Sequence, residues 1–461
     1  MILQDSQLLN DFMPSLPPEE TDAIAEVASR TSIFQGYVGV FIVAFLVTLF
    51  ATPIMRRLAV KNKIVDLPTD PRKVHKQPTA YLGGVAVFLG LMGAMVFSIL
   101  ATQFPGLIEY HDTESTLTAS SKMLPFSILL GMTVIMFVGL FDDIMGISPR
   151  LKISGQLFAA AALALDQVGV RVAAGLILPI ASFFGVETVS INNVDTIGIA
   201  FGMNTWFFGN GFDIIYWTGA AVITIFVLGG CNAANLIDGL DGLLSGVTAI
   251  AAAGILVIAL TMALFDDGPR DTQRVILALA IVGACLGFLP HNFNPANIFL
   301  GDSGSLLLGY CMVVLILMLG DTGKTHLVVA GLVVFAIPIM DTALAIIRRK
   351  LSGKKMSDAD ANHLHHMLKR SLGVKGAVFV LYGIGLAFAG LGIAASFGRA
   401  RVIYAVILVL ASFIGVTAIK IARRNAIEAE IVGKISKASA TPATDSNNKT
   451  SDDQSPAAKR G

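Results

Sequence analysis

Long apolar stretches constrain this chain more than any other feature. A helix that crosses a bilayer needs about 20 mostly apolar residues, and a bilayer interior forces such a segment to be helical. Charged residues make up only 14% of the 461 residues, whereas a soluble domain carries about 25%. The candidate spans are residues 34–53, 80–101, 123–141, 151–169, 217–235, 244–264, 274–290, 304–320, 325–346, 376–397 and 401–421. We therefore predict an all-α polytopic membrane protein with about eleven transmembrane helices.

Lysine and arginine are distributed unevenly among the loops between these spans. Residues 53–79 and 347–375 hold seven and eight of them, whereas 102–122 and 321–324 hold one each. Short loops rich in these residues stay in the cytoplasm. The N-terminus is therefore expected outside and the C-terminus inside, and the odd-numbered spans end at the cytoplasmic face.

The segments around the spans suggest three regions. Residues 1–33 are expected to form an external N-terminal segment without a cleavable signal, and 34–421 the transmembrane domain. Residues 422–461 are rich in small and polar residues and are expected to form a disordered cytoplasmic tail. The external connection 170–216 contains an alternating pattern around an Asn-Asn turn, which favours a β-hairpin. A re-entrant apolar segment is the alternative there.

Three polar strings interrupt the apolar pattern at the ends of spans 3, 5 and 7. They read GLFDDIMG (139–146), NAANLIDGLDGL (232–243) and FLGDSGS (299–305). By the count of spans, all three lie at the cytoplasmic face. Ionisable groups at membrane depth are costly and therefore indicate function. Carboxylates gathered on one face favour a divalent cation, and such a cation at a membrane surface favours phosphate chemistry.

The first two strings have distinct geometries. Asp142 and Asp143 are adjacent and point about 100° apart on a helix, so that one suits a cation and the other a proton or ligand. The alternative is a helix-end cap. In the second string, polar side chains three residues apart share one face of a helix. These are Asn232, Asn235, Asp238 and Asp241. They suit nucleotide recognition, and a polar contact between helices is the alternative.

The remaining strings favour anion binding. Phe299 offers a face for a nucleobase, and Asp302 is a hard oxygen ligand. A cluster of histidines, His363, His365 and His366, follows Arg348 and Arg349, and its basic surroundings favour a pyrophosphate over zinc. The loop RKVHKQPTAYLGG (72–84) contains His75 and Lys76 and favours phosphate or nucleotide contact. An ordinary basic cytoplasmic loop is the alternative for this last string.

Taken together, these motifs resemble the polyprenyl-phosphate N-acetylhexosamine-1-phosphate transferases, glycosyltransferase family 4. The shared features are the Asp-Asp pair, the N-x-x-N-x-x-D-G-x-D-G string, the G-D-S-G-S string and the histidine cluster. The resemblance implies a ten- or eleven-span helical membrane protein with a cytoplasmic, Mg²⁺-dependent site, with Mn²⁺ as an alternative ion. It also implies transfer of a sugar-1-phosphate from a UDP-sugar to a polyprenyl phosphate, with release of UMP.

The histidine cluster, read as H-x-H-H, is similar to that of the undecaprenyl-phosphate N-acetylglucosamine-1-phosphate branch. The resemblance thus implies a multi-pass protein of the bacterial inner membrane that catalyses the first membrane step of cell-envelope polysaccharide synthesis. The phospho-N-acetylmuramoyl-pentapeptide transferases of peptidoglycan synthesis are the alternative within the superfamily. From another class, a cation-coupled transporter would carry acids at mid-membrane depth instead of at span ends. We expect a homodimer as one arrangement and no nucleic-acid partner.

The resemblance also assigns roles to individual residues. Asp142, Asp143 and Asp302 are the expected catalytic residues, and Asp302 with Asp142 is expected to hold the metal. The expected substrate-binding residues are His75, Lys76, Asn232, Asn235, Asp238, Asp241, Phe299, Arg348, Arg349, His363, His365 and His366. We favour direct attack of the lipid phosphate over a covalent aspartyl intermediate.

Overall fold

A computed structural model describes most of the membrane domain. The described residues are 34–66, 78–104, 107–108, 123–184, 189–191, 194–196, 198–199, 212–265, 270–351, 364–398 and 427. The predicted external segment 1–33, the last predicted span 401–421 and nearly all of the predicted tail lie outside them. The chain divides into two compact units, one of Met1–Ala345 with Asp360–Leu408 and the other of Ile346–Ala359 with Val409–Gly461.

Helices account for nearly all of the described chain. They are α1 (Val38–Lys61), α2 (Gly83–Gln103), α3 (Phe126–Met145), α4 (Pro149–Leu165), α5 (Ala174–Phe183), α6 (Ile214–Ile237), α7 (Leu243–Phe265), α8 (Asp271–Asn292), α9 (Gly301–Met318), α10 (Thr325–Val334), α11 (Ala336–Leu351) and α12 (Leu364–Ser396). Eight are long and apolar enough to cross a membrane, and the count is ten if each of two bent helix pairs forms one span. The prediction of an all-α polytopic membrane protein is confirmed.

Two predicted spans are broken instead of continuous. Span 151–169 becomes α4 followed by Val170–Phe183, and span 325–346 becomes α10 followed by Ala336–Ile347, each with a bend of 81°. The first break follows Gln167 and Gly169, which have φ values of 54° and 82°. In the second, Pro338 cannot donate a hydrogen bond to the carbonyl of Val334, the residue four positions earlier, so the helix stops there.

The predicted hairpin is present as short antiparallel strands. Strand β3 (Val189–Ile191) pairs with β4 (Val194–Thr196), with Ile191 opposite Val194. Two further strands, β5 (Gly198–Ile199) and β6 (Phe212–Asp213), also pair. The preceding apolar segment folds as Val170–Phe183, which lies at 81° to α4, so this connection contains both a hairpin and an apolar helix that follows a bend.

Helix α9 lies at the centre of the bundle. It contacts α2, α3, α6, α7 and α8, and 89% of its residues are buried. Glycines let its neighbours approach, since a Cβ on Gly309 would lie 2.5 Å from the carbonyl oxygen of Gly230. Outer helices instead expose large apolar side chains, such as Phe50 and Ile54 of α1, as a lipid-facing surface requires. Because α9 begins at Gly301, the GDSGS string opens the most buried helix.

Candidate active site

Asp143 fixes the start of α9. Its Oδ1 accepts a hydrogen bond from the backbone N–H of Asp302 at 2.7 Å, and its Oδ2 accepts one from Ser303 at 3.0 Å. The first N–H groups of a helix lack partners within the helix, and a carboxylate also suits the positive end of its dipole. Gly301 has a φ of 71°, and a Cβ there would lie 2.6 Å from Asp143 Oδ2. Asp143 therefore caps a neighbouring helix with both of its oxygens.

Asp142 points instead to a lysine that it shares with Asp302. Lys152 Nζ lies 2.7 Å from Asp142 Oδ2 and 2.5 Å from Asp302 Oδ2. Lys152 is in the first turn of α4, which begins with Pro149 and is capped by Ser148 Oγ. The other oxygen of Asp142 accepts the N–H of Ile147 at 3.0 Å. One ammonium thus bridges the Asp-Asp pair and the GDSGS string.

Asn235 connects the second polar string to the same carboxylate. Its Nδ2 donates to Asp302 Oδ1 and to Ser305 Oγ, both at 2.9 Å. Asn232, one turn earlier on α6, instead donates to Gln156 Oε1 at 3.0 Å and to the carbonyl of Leu228 at 2.7 Å. The predicted polar stripe therefore divides, with Asn235 directed at α9 and Asn232 at α4.

Asp238 follows the last residue of α6 and is half-buried. Its carboxyl group makes no hydrogen bond to any residue that the structure describes. Burial, followed by the charges of Asp302, Asp143 and Asp241, raises the pKa of Asp238 to about 8. The carboxyl group therefore ionises less readily than a free aspartate, because it is buried among other acids.

Asp241 holds the loop that leads into α9. Its Oδ2 accepts hydrogen bonds from Asn294 Nδ2 at 2.8 Å and from the N–H of Ala296 at 3.1 Å. Asn292 supports the same loop, since its amide donates to the carbonyl of Ile298 at 3.0 Å and accepts the N–H of Gly242 at 3.1 Å. The sequence predicts that Asp241 binds the substrate. In the structure, its hydrogen bonds instead hold the loop that precedes Phe299.

Backbone hydrogen bonds fasten this loop to the start of α2. Phe299 N–H donates to the carbonyl of Ala80 at 2.8 Å, and Gly83 and Gly84 donate to the carbonyls of Phe299 and Leu300 at 3.0 and 2.8 Å. Ala80 belongs to strand β2 (Thr79–Ala80), which pairs with β1 (Val65–Asp66). A Cβ on Gly84 would lie 2.1 Å from the nitrogen of Gly304. Gly84 is therefore needed for close contact with α9, and Gly83 for contact with Phe299, whose carbonyl oxygen would lie 2.4 Å from a Cβ there.

Phe299 is half-buried beside Tyr81, with the ring centroids 6.1 Å apart and the planes at 60°. Burial, followed by the charges of Asp66 and Asp143, raises the pKa of Tyr81. The Tyr81 hydroxyl is thus close enough to these carboxylates to be affected by their charge. The sequence had not indicated Tyr81 as a site residue. His75 and Lys76, from the same predicted loop, lie outside the described residues.

The histidine cluster is described only in part. His365 is buried, and its Nδ1 lies 3.0 Å from Asp341 Oδ2. A Cβ on Gly239 would lie 2.6 Å from its Nε2, so the imidazole edge reaches the turn after α6. His363 and the side chains of His366 and Arg348 lie outside what the structure describes. Arg348 and Arg349 belong to the second compact unit.

We call Asp142, Asp143, Lys152, Asn235, Asp238 and Asp302 the acidic cluster. It contains four carboxyl groups and one lysine, so its ionised form carries excess negative charge. Mg²⁺ typically takes one or two protein carboxylates and completes its shell with water and phosphate oxygens. Asp142 and Asp302 already share one cation, and they therefore fit that donor set. Within the described residues, no group of three or more His, Cys, Asp or Glu side chains is arranged to hold a metal ion.

Sequence reasoning gave no role to Lys152 of the acidic cluster, or to Ser305, whose hydroxyl accepts a hydrogen bond from Asn235. Lys152 stands in the string SPRLK, on the same side of span 4 as the Asp-Asp pair. The sequence did contain a signal for this contact, because a lysine follows the two aspartates after only one short loop. Ser305 stands within the GDSGS string itself, three residues after Asp302 on α9.

Comparisons with known proteins identify the family of this chain. The model of glycosyl transferase family 4 matches residues 125–320, which include the whole acidic cluster. A probable undecaprenyl-phosphate N-acetylglucosaminyl 1-phosphate transferase of Bacillus subtilis is 31% identical, over 76% of this chain and 82% of the relative. A decaprenyl-phosphate N-acetylglucosaminephosphotransferase of Mycolicibacterium smegmatis is 33% identical, over 70% and 73%. A phospho-N-acetylmuramoyl-pentapeptide-transferase of Desulforudis audaxviator is 31% identical, over 76% and 96%.

Proposed function

The chain belongs to glycosyl transferase family 4, and on that premise we propose that it transfers N-acetylglucosamine-1-phosphate from a UDP-sugar to undecaprenyl or another polyprenyl phosphate and releases UMP. One observation carries the proposal. Asp142 and Asn235 come from the ends of two helices, Lys152 and Asp302 come from the starts of two others, and the four side chains meet at a single point. A site at helix ends is open both to a water-soluble nucleotide sugar and to a lipid phosphate.

The charge of the acidic cluster determines what it can bind. Two anionic substrates have to approach carboxylates, so a cation is needed between them. A bound Mg²⁺, or Mn²⁺ in its place, would neutralise the pyrophosphate and polarise its oxygens. Asp302 and Asp142 are the residues that would hold the ion. Lys152 would then leave one or both carboxylates and donate to a phosphate oxygen instead.

The contacts of the aspartates favour direct displacement. Both oxygens of Asp143 accept backbone N–H groups, and those of Asp302 accept from Lys152 and Asn235. Carboxylates held in this way are poor nucleophiles. The lipid phosphate oxygen would therefore attack the phosphorus attached to the sugar, and the bond to the UMP phosphate would break in line. Phosphoryl transfer of this kind depends on positioning and charge stabilisation.

The N-acetylglucosamine branch is favoured by the H-x-H-H form of the histidine cluster. The Bacillus and Mycolicibacterium relatives carry this sugar in their names. The pentapeptide branch is the second candidate, because the Desulforudis relative matches at similar identity.

An assay of UMP release by the purified protein tests the proposal. It uses undecaprenyl phosphate with UDP-N-acetylglucosamine, UDP-N-acetylgalactosamine or UDP-N-acetylmuramoyl-pentapeptide, each with Mg²⁺, with Mn²⁺ or with a chelator. We expect release with the first sugar and none with the chelator. Release with the pentapeptide substrate alone would move the chain to the second branch, and no release with any of them would refute the proposal.

The chain is a multi-pass membrane protein, and we propose the bacterial plasma membrane with a cytoplasmic active site. The basic residues Arg56, Arg57 and Lys61 support this orientation, because they lie at the end of α1 that leads to β1 and the acidic cluster. Cysteines introduced as Asp112→Cys and Asp360→Cys should label from opposite sides of the membrane, with position 360 cytoplasmic. The native cysteines are buried and should react slowly. Labelling from the same side would contradict the orientation.

The homodimer remains a prediction. A mass measurement of the protein in detergent or lipid nanodiscs would test it.

A further inference from the structure

A buried carboxylate lies behind the active-site histidine. Asp341 is 1% exposed and lies three residues after Pro338, in the helix that begins after the bend. His365 is also 1% exposed and lies in the first turn of α12. Asp341 Oδ2 is 3.0 Å from His365 Nδ1. The pair thus joins two segments 24 residues apart in sequence.

The hydrogen bond between Asp341 and His365 determines the orientation of the imidazole ring. An ionised carboxylate only accepts hydrogen bonds, so Nδ1 has to carry the proton that it shares with Asp341. Nε2 then faces away from Asp341 and towards Gly239. Because a Cβ on Gly239 would lie 2.6 Å from Nε2, any larger residue would displace the ring. Gly239 is next to Asp238 and four residues after Asn235, so Nε2 lies at the edge of the acidic cluster.

A carboxylate buried at membrane depth is costly, and packing alone does not require one. We propose that Asp341 is a positioning residue, which holds the imidazole of His365 so that Nε2 meets the pyrophosphate of the UDP-sugar at the Asp238–Gly239 turn. This inference depends on the proposed transferase function. In this proposal, Asp341 acts only by orienting His365, and Gly239 leaves the space that the imidazole ring occupies.

A double-mutant cycle tests the inference, because a residue that acts only through His365 has no effect once His365 is gone. The variants are Asp341→Asn, His365→Ala and the two together, assayed as kcat and KM for UDP-N-acetylglucosamine. Loss of an outer partner that orients a histidine typically costs about 10–100-fold. We expect Asp341→Asn to lower kcat/KM by that factor in the wild-type background and by less than about twofold in the His365→Ala background.

Thr342→Val is the matched control. It changes the neighbouring residue of the same helix, whose hydroxyl has no hydrogen-bond partner in the described structure. We expect its kcat/KM to stay within about twofold of wild type. An equal loss from Asp341→Asn in both backgrounds would show a general structural role and overturn the inference. Wild-type turnover by Asp341→Asn, or the same loss in Thr342→Val, would overturn it as well.

Gly239→Ala provides an independent test of the position of His365 if the Asp341→Asn variant does not accumulate in membranes. The added methyl group should lower kcat/KM when His365 is present and cause little further loss beside His365→Ala. A full additional loss in that background would overturn the proposed approach of Nε2. An active wild type with additive losses contradicts this inference alone, whereas an inactive wild type with every UDP-sugar contradicts the transferase function and the inference with it.

Discussion

Both ends of α9 lie among buried charged groups, but only the cluster at its start has an excess of one sign. At its start, Asp302 belongs to the acidic cluster, which has four carboxyl groups and one lysine. Sixteen residues later, about 24 Å along the helix axis, the carbonyl of Met318 accepts a hydrogen bond from Arg274 Nη1 at 3.0 Å. Arg274 is fully buried and pairs with Asp271. We call Arg270, Asp271, Arg274 and Asp321 the arginine cluster.

The arginine cluster is balanced in charge and joins several elements. Arg270 Nε forms an ion pair with Asp321 Oδ2 at 2.9 Å, and Asp321 Oδ1 accepts a hydrogen bond from the N–H of Gly169 at 2.9 Å. These contacts connect the segment after α4, the start of α8 and the end of α9. Each carboxylate there faces a guanidinium, so the cluster needs no further ion. Buried charge alone is thus a poor mark of a catalytic site, and an excess of one sign is a better one.

We expect the largest effect from an Asp→Asn substitution in the acidic cluster, which can be compared with the same substitution in the arginine cluster. Asp302→Asn removes a charge from the acidic cluster and should lower kcat by more than about 10³-fold, since charge stabilisation supplies most of phosphoryl-transfer catalysis. The protein should still accumulate in membranes and elute as one species. UMP release against Mg²⁺ concentration measures the effect. Normal turnover with unchanged Mg²⁺ dependence would remove Asp302 from the ligand set.

Asp321→Asn is the same change at the other end of the helix. It leaves Arg270 without its carboxylate, and breaking a buried pair on one side costs about 3–5 kcal/mol of stability. Thermal unfolding in detergent should show a clearly lower midpoint. Turnover per folded molecule, measured below that midpoint, should remain near wild type. A loss of turnover equal to that of Asp302→Asn would erase the distinction between the clusters.

Lys152→Met tests the only cation of the acidic cluster. A lost donor to a developing charge costs about 2.7–4 kcal/mol, or roughly 10²–10³ in kcat. Arg150→Met is the control, because Arg150 is an exposed residue of the same helical turn. It should change kcat by less than about twofold. If both substitutions cost the same, general surface charge and not the bridging contact would explain the effect.

The smallest expected effect concerns pH. Since the pKa of Asp238 is raised to about 8, the group is mostly neutral at pH 7 and gains a negative charge as the pH rises through 8. That charge opposes an anionic nucleotide sugar, so the KM for the UDP-sugar should rise about fivefold between pH 7 and pH 9. In Asp238→Asn the KM should stay nearly constant over this range. A matching rise in the variant would assign the titration to another group.

The sequence was informative about spans and motifs because both are local. Twenty apolar residues identify a helix wherever it packs, and ten of the predicted spans appear as helices or bent helix pairs. It predicted that the ends of spans 3, 5 and 7 share one face, but not which side chains meet there. Lys152 reaches Asp302 across 150 residues, and no periodicity reports such a contact. The contacts of Asp241 and Asp341 could not be predicted for the same reason, since each carboxylate has its partner in another segment.

The attachment of the Phe299 loop to α2 has a consequence for protein engineering. Its three fastening bonds join backbone atoms only, and backbone atoms are the same for almost every residue. The side chain of Tyr81, which is half-buried, can therefore be exchanged without releasing the loop, provided that Gly83 and Gly84 are kept. Ala80 is buried and leaves no room for a larger residue. A small library at position 81 would vary the wall beside Phe299 while the backbone stays constant, and would show whether this wall influences the choice of sugar or nucleotide.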